Sequence, residues 1–317
     1  MSARSILTRF RAYQLGTSGA SFSLFADGIF TLIEARVTDL SRKNLKNEVN
    51  ECGKITIDEL HISSWDQDHC SIGDLKEILE CYQPIKIEYP GYPPHTDTAE
   101  KCLNIIKNYK IFKINNKKDV KCIKITPEYI CNLNSAEDLA YNDVFYHPLS
   151  LFENSNDNST VKLFRKGSFN IASMGDVEDA NIGAFLRRAK IFKNEVDLLV
   201  LAHHGADCHT NSKHFFKEIR PSLTICCSQY DNQYEHPNHE VRQRLYELNI
   251  PLMTTKTGDI LVQSLSPHSR IYRATNLISD SEKISSQSEF VSKKNDLLSM
   301  NKDAIRNLYS SPPKKKW

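Results

Sequence analysis

The chain opens with short runs in which apolar and polar side chains interleave, at residues 10–16 (FRAYQLG), 21–27 (SFSLFAD) and 30–35 (FTLIEA). Glycine-containing turns, GTSGA and DG, separate the runs, so the pattern predicts strands joined by hairpins. Residues 42–54 (RKNLKNEVNECGK) are polar and predict a loop or a helix. An apolar strand at 54–63 (KITIDELHIS) follows. Residues 72–82 (IGDLKEILECY) then place Ile72, Leu75, Ile78 and Leu79 on one helical face. The intervening stretch, HISSWDQDHCSIGDL (61–75), is therefore expected in a loop at the carboxyl end of a strand and ahead of a helix. Ligand sites in layered α/β folds favour that position.

The segment 85–146 is less regular. It holds a proline-rich turn (YPGYPPHTD), a helical run (TAEKCLNIIKNYK) and a strand (VKCIKIT). Strand–loop–helix alternation resumes from 147. A hairpin at 161–176 ends in Gly175-Asp176. A helical run at 179–192 follows, then an apolar strand at 196–205 that ends in His203-His204-Gly205. A strand at 222–228, a helix at 239–248 and strands at 251–255 and 259–264 complete the pattern. Past residue 275 the composition turns to Ser, Lys and Asn, with three lysines just before the last residue. The expected organisation is a folded domain over 1–275 and a flexible polar and basic tail over 276–317. That tail reads as a solvated segment whose charge could also dock a protein partner.

Composition narrows the picture. A length of 317 residues suits one large domain or two small ones. A net charge of +2 is too small for a strongly basic nucleic-acid binder, though it leaves room for a local basic groove. The nine cysteines are odd in number and none has C-x-x-C spacing, which argues against a disulfide scaffold and against a zinc ribbon. A reducing, cytoplasmic setting is the expectation. No run of about 18 apolar residues occurs, so no membrane partner is expected. The N-terminus lacks the apolar core of a signal peptide.

Three strand ends carry ligand-type side chains: Asp66, Asp68 and His69 at the first, Asp176 at the second, His203 and His204 at the third. His147, in VFYHPLS, adds a fourth. Singly these are bland, since Gly-Asp is a common turn and a lone histidine is usually a hydrogen-bonded structural residue. Their order is specific. It resembles the metallo-β-lactamase superfamily, whose mark is a strand followed by H-x-H-x-D-H and further His and Asp ligands at later strand ends.

A closer resemblance is to the hydrolase domain of the competence-type DNA-uptake channel (the ComEC-like branch), whose first motif has the form S-H-x-D-x-D-H. The aligned residues are Ser63, Ser64, Trp65, Asp66, Gln67, Asp68 and His69. Asp66 is usual for that branch, and Ser64 is the departure, standing where its first histidine would be. The opening hairpins, with Glu34 near an acidic position, NDNSTVKLF…FNIASMGDVED, and above all the segment from Asn194 to Leu245 also resemble it. The resemblance spans residues 10 to about 273.

The resemblance implies an α/β chain with the metallo-β-lactamase αββα four-layer sandwich and a site for one or two divalent cations, Mn or Zn, with Mg as a further option. Two cations about 3.5–4 Å apart can share and activate a water. Asp176 is the implied bridging carboxylate. Asp68 and His69, with His203 or His204, make one position, and Asp66 with His147 the other. A serine hydroxyl is a poorer zinc ligand than imidazole, and the remaining oxygen-rich set leans toward Mn or Mg. Asp68 and His236 are the expected catalytic groups. Ser64, Trp65, Thr210 and Asn211 are the expected substrate contacts, Trp65 either as a base-stacking platform or as plain packing. Cys70 and Cys208 follow ligand positions but read as buried thiols.

The leading reading is a metal-dependent phosphodiesterase or nuclease acting on nucleic acid or nucleotides, in processing, signalling-nucleotide turnover or defence against foreign DNA. A hydrolase of another ester, lactam or thioester is a second reading. The third is a catalytically degenerate subunit that acts as a binding partner in a larger complex.

Overall fold

The structure, a computed structural model, describes residues 7–133, 142–266 and 270–294. Its strands are β1 (Arg9–Ala12), β2 (Phe22–Ala26), β3 (Ile29–Ile33), β4 (Glu59–His61), β5 (Lys86–Pro90), β6 (Lys121–Ile125), β7 (Val144–His147), β8 (Val161–Phe164), β9 (Ile171–Ser173), β10 (Leu198–Val200), β11 (Leu223–Cys226), β12 (Leu252–Thr254), β13 (Ile260–Ser264), β14 (Ile271–Leu277) and β15 (Ile284–Val291). Its helices are α1 (Asp39–Glu51), α2 (Ile72–Cys81), α3 (Asp97–Asn115), α4 (Pro127–Cys131), α5 (Ala180–Arg188), α6 (Lys190–Glu195), α7 (Lys213–Ile219) and α8 (His239–Glu247). One sheet runs β15-β14-β13-β1-β2-β3-β4-β5-β6 and the other β12-β11-β10-β9-β8-β7.

Three apolar layers show how these elements stack. Phe10, Phe22 and Leu24 of the first sheet meet Phe164, Ile171, Leu198 and Ile225 of the second in a core between the sheets. A second core packs Leu45, Val49, Leu75, Ile78 and Ile106 of α1–α3 on the outer face of the first sheet. A third packs Ile182, Leu186, Phe215, Phe216 and Leu245 on the outer face of the second. The result is the expected helix–sheet–sheet–helix sandwich. In β1, Phe10 and Ala12 point into the core between the sheets while Arg9 and Arg11 reach Glu48 of α1 on the other face, the period-2 logic of a strand covered on both sides.

Side-chain caps fix where the helices begin. Ser71 accepts the Asp74 N–H at 3.3 Å at the start of α2, and Thr96 accepts the Ala99 N–H at 3.2 Å at the start of α3. Within each sheet the strands beside the site run parallel, β3 to β6 in one and β9 to β12 in the other. Their carboxyl ends therefore gather on one rim. Below the rim, buried Lys162 of β8 donates to Glu88 of β5 at 2.8 Å, and His61 of β4 lies 2.9 Å from the same carboxylate. The Thr160 N–H donates to the Ser63 carbonyl at 2.9 Å, so the two sheets are tied together where the metal-type loop starts.

The described chain continues in the first sheet past the boundary expected at residue 275. Strand β14 continues to Leu277, and β15 pairs antiparallel with it along its whole length. Phe290 stacks on buried Tyr272 with ring centroids 5.5 Å apart, and the Lys293 N–H donates to the Asp197 carboxylate at 2.8 Å. Strand β15 is almost wholly exposed, and an edge strand with polar side chains on both faces has the composition of a tail. The remainder of the expected tail, 295–317, lies outside the described residues.

Candidate metal centre

Each strand end presents its side chain by a local device. Glu34, just after β3, has φ of 68°, and its buried carboxylate accepts the Ser63 N–H at 3.0 Å and the Ser63 hydroxyl. The loop after β4 is clamped from two sides. The Ala20 N–H donates to the Asp68 carbonyl at 3.0 Å, and the Ala35 N–H to the His69 carbonyl at 2.7 Å. Gly19 permits the first approach: its φ is 129°, and a Cβ there would stand 2.5 Å from the Asp68 carbonyl oxygen.

After β10 the backbone turns left-handed at His203 (φ 44°), His204 (φ 52°) and Gly205 (φ 83°). Two non-glycine residues in that region cost about 1–3 kcal/mol each. The surrounding structure holds them there. Asn211 donates to the carbonyls of Ala202 and Ala206 at 2.9 and 2.8 Å, the Cys226 thiol donates to the His204 carbonyl at 3.0 Å, and the His203 N–H donates to the Gly175 carbonyl at 2.9 Å.

These devices bring Asp68, His69, Asp176 and His204 together, with one ligand atom of each within 4.8 Å of all the others. His69 Nε2 lies 2.9 Å from Asp176 Oδ2, and His204 Nε2 lies 3.1 Å from Asp68 Oδ2. Both rings are anchored by their other nitrogen. His204 Nδ1 is 3.1 Å from the Cys227 carbonyl, and His69 Nδ1 is 3.2 Å from Glu34 Oε1. With each Nδ1 held by these partners, the Nε2 proton that faces a carboxylate is the one a cation would displace, leaving the tautomer a metal-bound imidazole takes.

The pocket fits a divalent cation. His69 Nε2 and Asp176 Oδ1 are buried and have no hydrogen-bond partner of sound geometry, and orphaned buried polar atoms are rare without an ion or water. A void of about 10 Å³, room for one water-sized sphere, is lined by Glu34, His69, Asp176 and His204 among others.

The electrostatics point the same way. Burial opposes charge on His69, but the Asp176 and Glu34 carboxylates outweigh it and raise its pKa well above the usual histidine value. Burial likewise opposes charge on His204, and its Asp68 partner raises it. Against burial, His204 and His69 hold the Asp68 carboxyl below the usual range, and His69 does the same to Asp176. A buried site that keeps two carboxylates ionised is suited to a cation.

The other expected site residues are placed elsewhere. His147 Nε2 donates to the Asp157 carbonyl at 2.6 Å, so that nitrogen has no lone pair to offer, and the residue lies outside the four-residue group. His203 turns away, its Nδ1 2.7 Å from Glu178 Oε1, while His204 faces the cluster. Asp66 is also outside the group. Its carboxylate accepts the Ser64 hydroxyl at 2.9 Å and lies 3.3 Å from His95 Nε2.

Trp65 is 1% exposed and donates its indole N–H to the Tyr92 carbonyl at 3.1 Å, so it packs under the loop and offers no stacking face. Thr210 donates to the Val177 carbonyl at 2.6 Å and, like Asn211, is buried as a support of the His-His-Gly turn. Trp65, Thr210 and Asn211 thus build the site's frame, Trp65 as plain packing. Cys70 packs in the α2–α3 core, and Cys208 Sγ lies 3.1 Å from Thr210 Oγ1.

An open cleft of about 60 Å³ leads to the cluster and is lined by Asp68, His203, His204, Asn232, Tyr234 and His236 among others. His236 stands at the entrance, with its ring stacked on Tyr234 at 5.6 Å. Burial and the neighbouring His203 and His204 pull its pKa down to about 4. Tyr234 is 64% exposed. Sequence reasoning missed Tyr92 and His95. They follow β5, the parallel neighbour of β4, and a strand read at 86–90 would have placed that proline-rich turn on the same rim.

No family model and no curated protein matches the sequence. Among solved structures, the metallo-β-lactamase fold protein YhfI from Bacillus subtilis aligns with a TM-score of 0.50 and 13% identity, covering 81% of this chain and 100% of that one. Igni18, a metallo hydrolase from the archaeon Ignicoccus hospitalis, aligns with a TM-score of 0.48 and 14% identity, covering 80% of this chain and 98% of that one. Two stacked sheets, helices on both outer faces and the alignment with YhfI agree: the chain has the metallo-β-lactamase fold.

Proposed function

We propose that this chain is a metal-dependent hydrolase of phosphodiesters, in nucleic acid or a nucleotide, acting where Asp68, His69, Asp176 and His204 meet. The observation that carries the reading is the pair of imidazoles whose Nδ1 atoms are anchored and whose Nε2 atoms converge with two carboxylates at the end of an open cleft. A divalent cation held there supplies Lewis acidity and lowers the pKa of a water at neutral pH. With two oxygen and two nitrogen donors the set suits Mn²⁺ or Zn²⁺, with Mg²⁺ as a weaker third.

The chain's own residues do the rest. His203 and His236 line the cleft and can donate to the oxygens of a phosphate, His203 being oriented by Glu178. Asn232 lines the same wall. Exposed Tyr234 offers the stacking face that Trp65 does not, which favours a substrate carrying a base. The competence-type motifs of the sequence support the same substrate class.

The test is turnover of bis-p-nitrophenyl phosphate and of single- and double-stranded DNA with Mn²⁺, Mg²⁺ and Zn²⁺ in turn, beside an Asp68→Ala/His69→Ala control. Metal-dependent turnover that the control abolishes is the expected result. No turnover with any metal, together with no metal bound at equilibrium, would remove the enzyme reading.

A further inference from the structure

Resting on that metal reading, we infer that the chain holds a single divalent cation and that hydrogen bonds among Ser64, Asp66 and Tyr92, with His95 ion-paired to Asp66, take the place of the second cation position.

The argument is a count of donors and acceptors. A serine hydroxyl has one hydrogen to give and two lone pairs to fill. Ser64 gives its hydrogen to Asp66 Oδ2 at 2.9 Å. It accepts the Asp66 N–H at 3.2 Å, and Tyr92 Oη lies 3.0 Å away. Because the only Ser64 hydrogen is committed, the phenol is the donor in that contact. Tyr92 in turn accepts the Trp65 N–H at 2.9 Å. Both lone pairs of Ser64 are therefore occupied, and Ser64 itself is fully buried. None is left for a metal.

The neighbouring side chains of that position also have protein partners. Asp66 has Oδ2 on Ser64 and Oδ1 3.3 Å from His95 Nε2. The His95 ring lies along the Tyr92 ring, with centroids 6.0 Å apart and planes 29° apart. His147 spends its Nε2 proton on the Asp157 carbonyl. Of the two residues expected to build a second position, Asp66 is paired with Ser64 and His95 and His147 is turned to the Asp157 carbonyl, while Ser64, standing where the resemblance puts a histidine, has no lone pair to give. Of the four that build the first, His69 and Asp176 leave buried atoms without a partner. Where the resemblance puts an imidazole, at residue 64, the space is taken by Ser64 and Tyr92, with His95 from the same loop after β5 beside them.

The test is a metal count that does not depend on activity. Metal-stripped full-length chain is titrated with Mn²⁺ by calorimetry, and the loaded protein is examined by electron paramagnetic resonance. The expected result is one ion per chain and an uncoupled six-line spectrum. Asp66→Asn and His95→Gln should keep the count at one with affinity within about threefold, whereas Asp68→Ala should lose the ion. Two ions per chain, an exchange-coupled spectrum, or loss of an ion in Asp66→Asn or His95→Gln would overturn the inference while leaving the hydrolase reading intact. No ion in the unmutated chain would overturn both. A folded-state check by circular dichroism keeps a misfolded variant from being counted as loss.

Discussion

Two halves of one short loop behave in opposite ways. Asp68 and His69 send their side chains to a cluster with Asp176 and His204, where buried polar atoms wait for a partner. Ser64, Trp65 and Asp66, only a few residues earlier, are closed onto Tyr92, His95 and one another. The residue types in both halves are of the kind that bind metals or substrate. The difference lies in how many lone pairs and protons are already committed. A metal-type motif therefore identifies a place, and the hydrogen-bond count at that place tells whether it is open.

The comparison can be broken most severely at the open half. Asp68→Ala/His69→Ala removes two of four ligands and should weaken Mn²⁺ binding by more than the roughly 10–100-fold that loss of an outer partner costs. Turnover of bis-p-nitrophenyl phosphate should vanish with it. On the closed half, Trp65→Ala should cost about 3–5 kcal/mol of stability, as for large aromatic truncations in a core, read by urea denaturation. Trp65→Phe should leave substrate affinity unchanged, since the indole faces Tyr92 and not the cleft. A substantial rise in KM for DNA in Trp65→Phe would return Trp65 to the substrate surface.

Smaller effects sharpen the picture. Glu34→Gln keeps the shape of the side chain but takes the charge from the His69 anchor, and should weaken metal affinity by about 10–100-fold. Asn211→Ala leaves the carbonyls of Ala202 and Ala206 without their donor and should cost about 1–3 kcal/mol. Its effect on turnover should be larger than a simple stability loss explains, because the left-handed turn that aims His204 relaxes. Tyr234→Ala, at the exposed cleft wall, should raise KM for single-stranded DNA in line with the loss of about 1–3 kcal/mol of base stacking, with bis-p-nitrophenyl phosphate much less affected.

Much of this was legible before the structure. The alternating runs at 10–35, the helical face of Ile72, Leu75, Ile78 and Leu79, and the strand ahead of His203 all form in the expected places, because their apolar side chains pack into the continuous cores between and outside the sheets. The order Asp68-His69, Asp176, His203-His204 marked the rim. What a linear pattern does not carry is the direction of a side chain whose partner lies far away in sequence. His147 is claimed by Asp157, His203 by Glu178, Thr210 by Val177 and Trp65 by Tyr92. The choice between His203 and His204 could not follow from strand parity, since both sit past the end of β10 in left-handed backbone. Strand β15 escaped for the opposite reason: an exposed edge needs little apolar surface, so Ser, Gln and Glu can fill it.

The central claim is that Asp68, His69, Asp176 and His204 hold a divalent cation. Anomalous diffraction from crystals of the Mn²⁺- or Zn²⁺-loaded chain tests it most directly. The account predicts one strong peak about 2.0–2.2 Å from ligand atoms of all four residues, the distance of nitrogen and carboxylate ligands to such an ion. A peak lodged away from these side chains, or none at saturating metal, would contradict it.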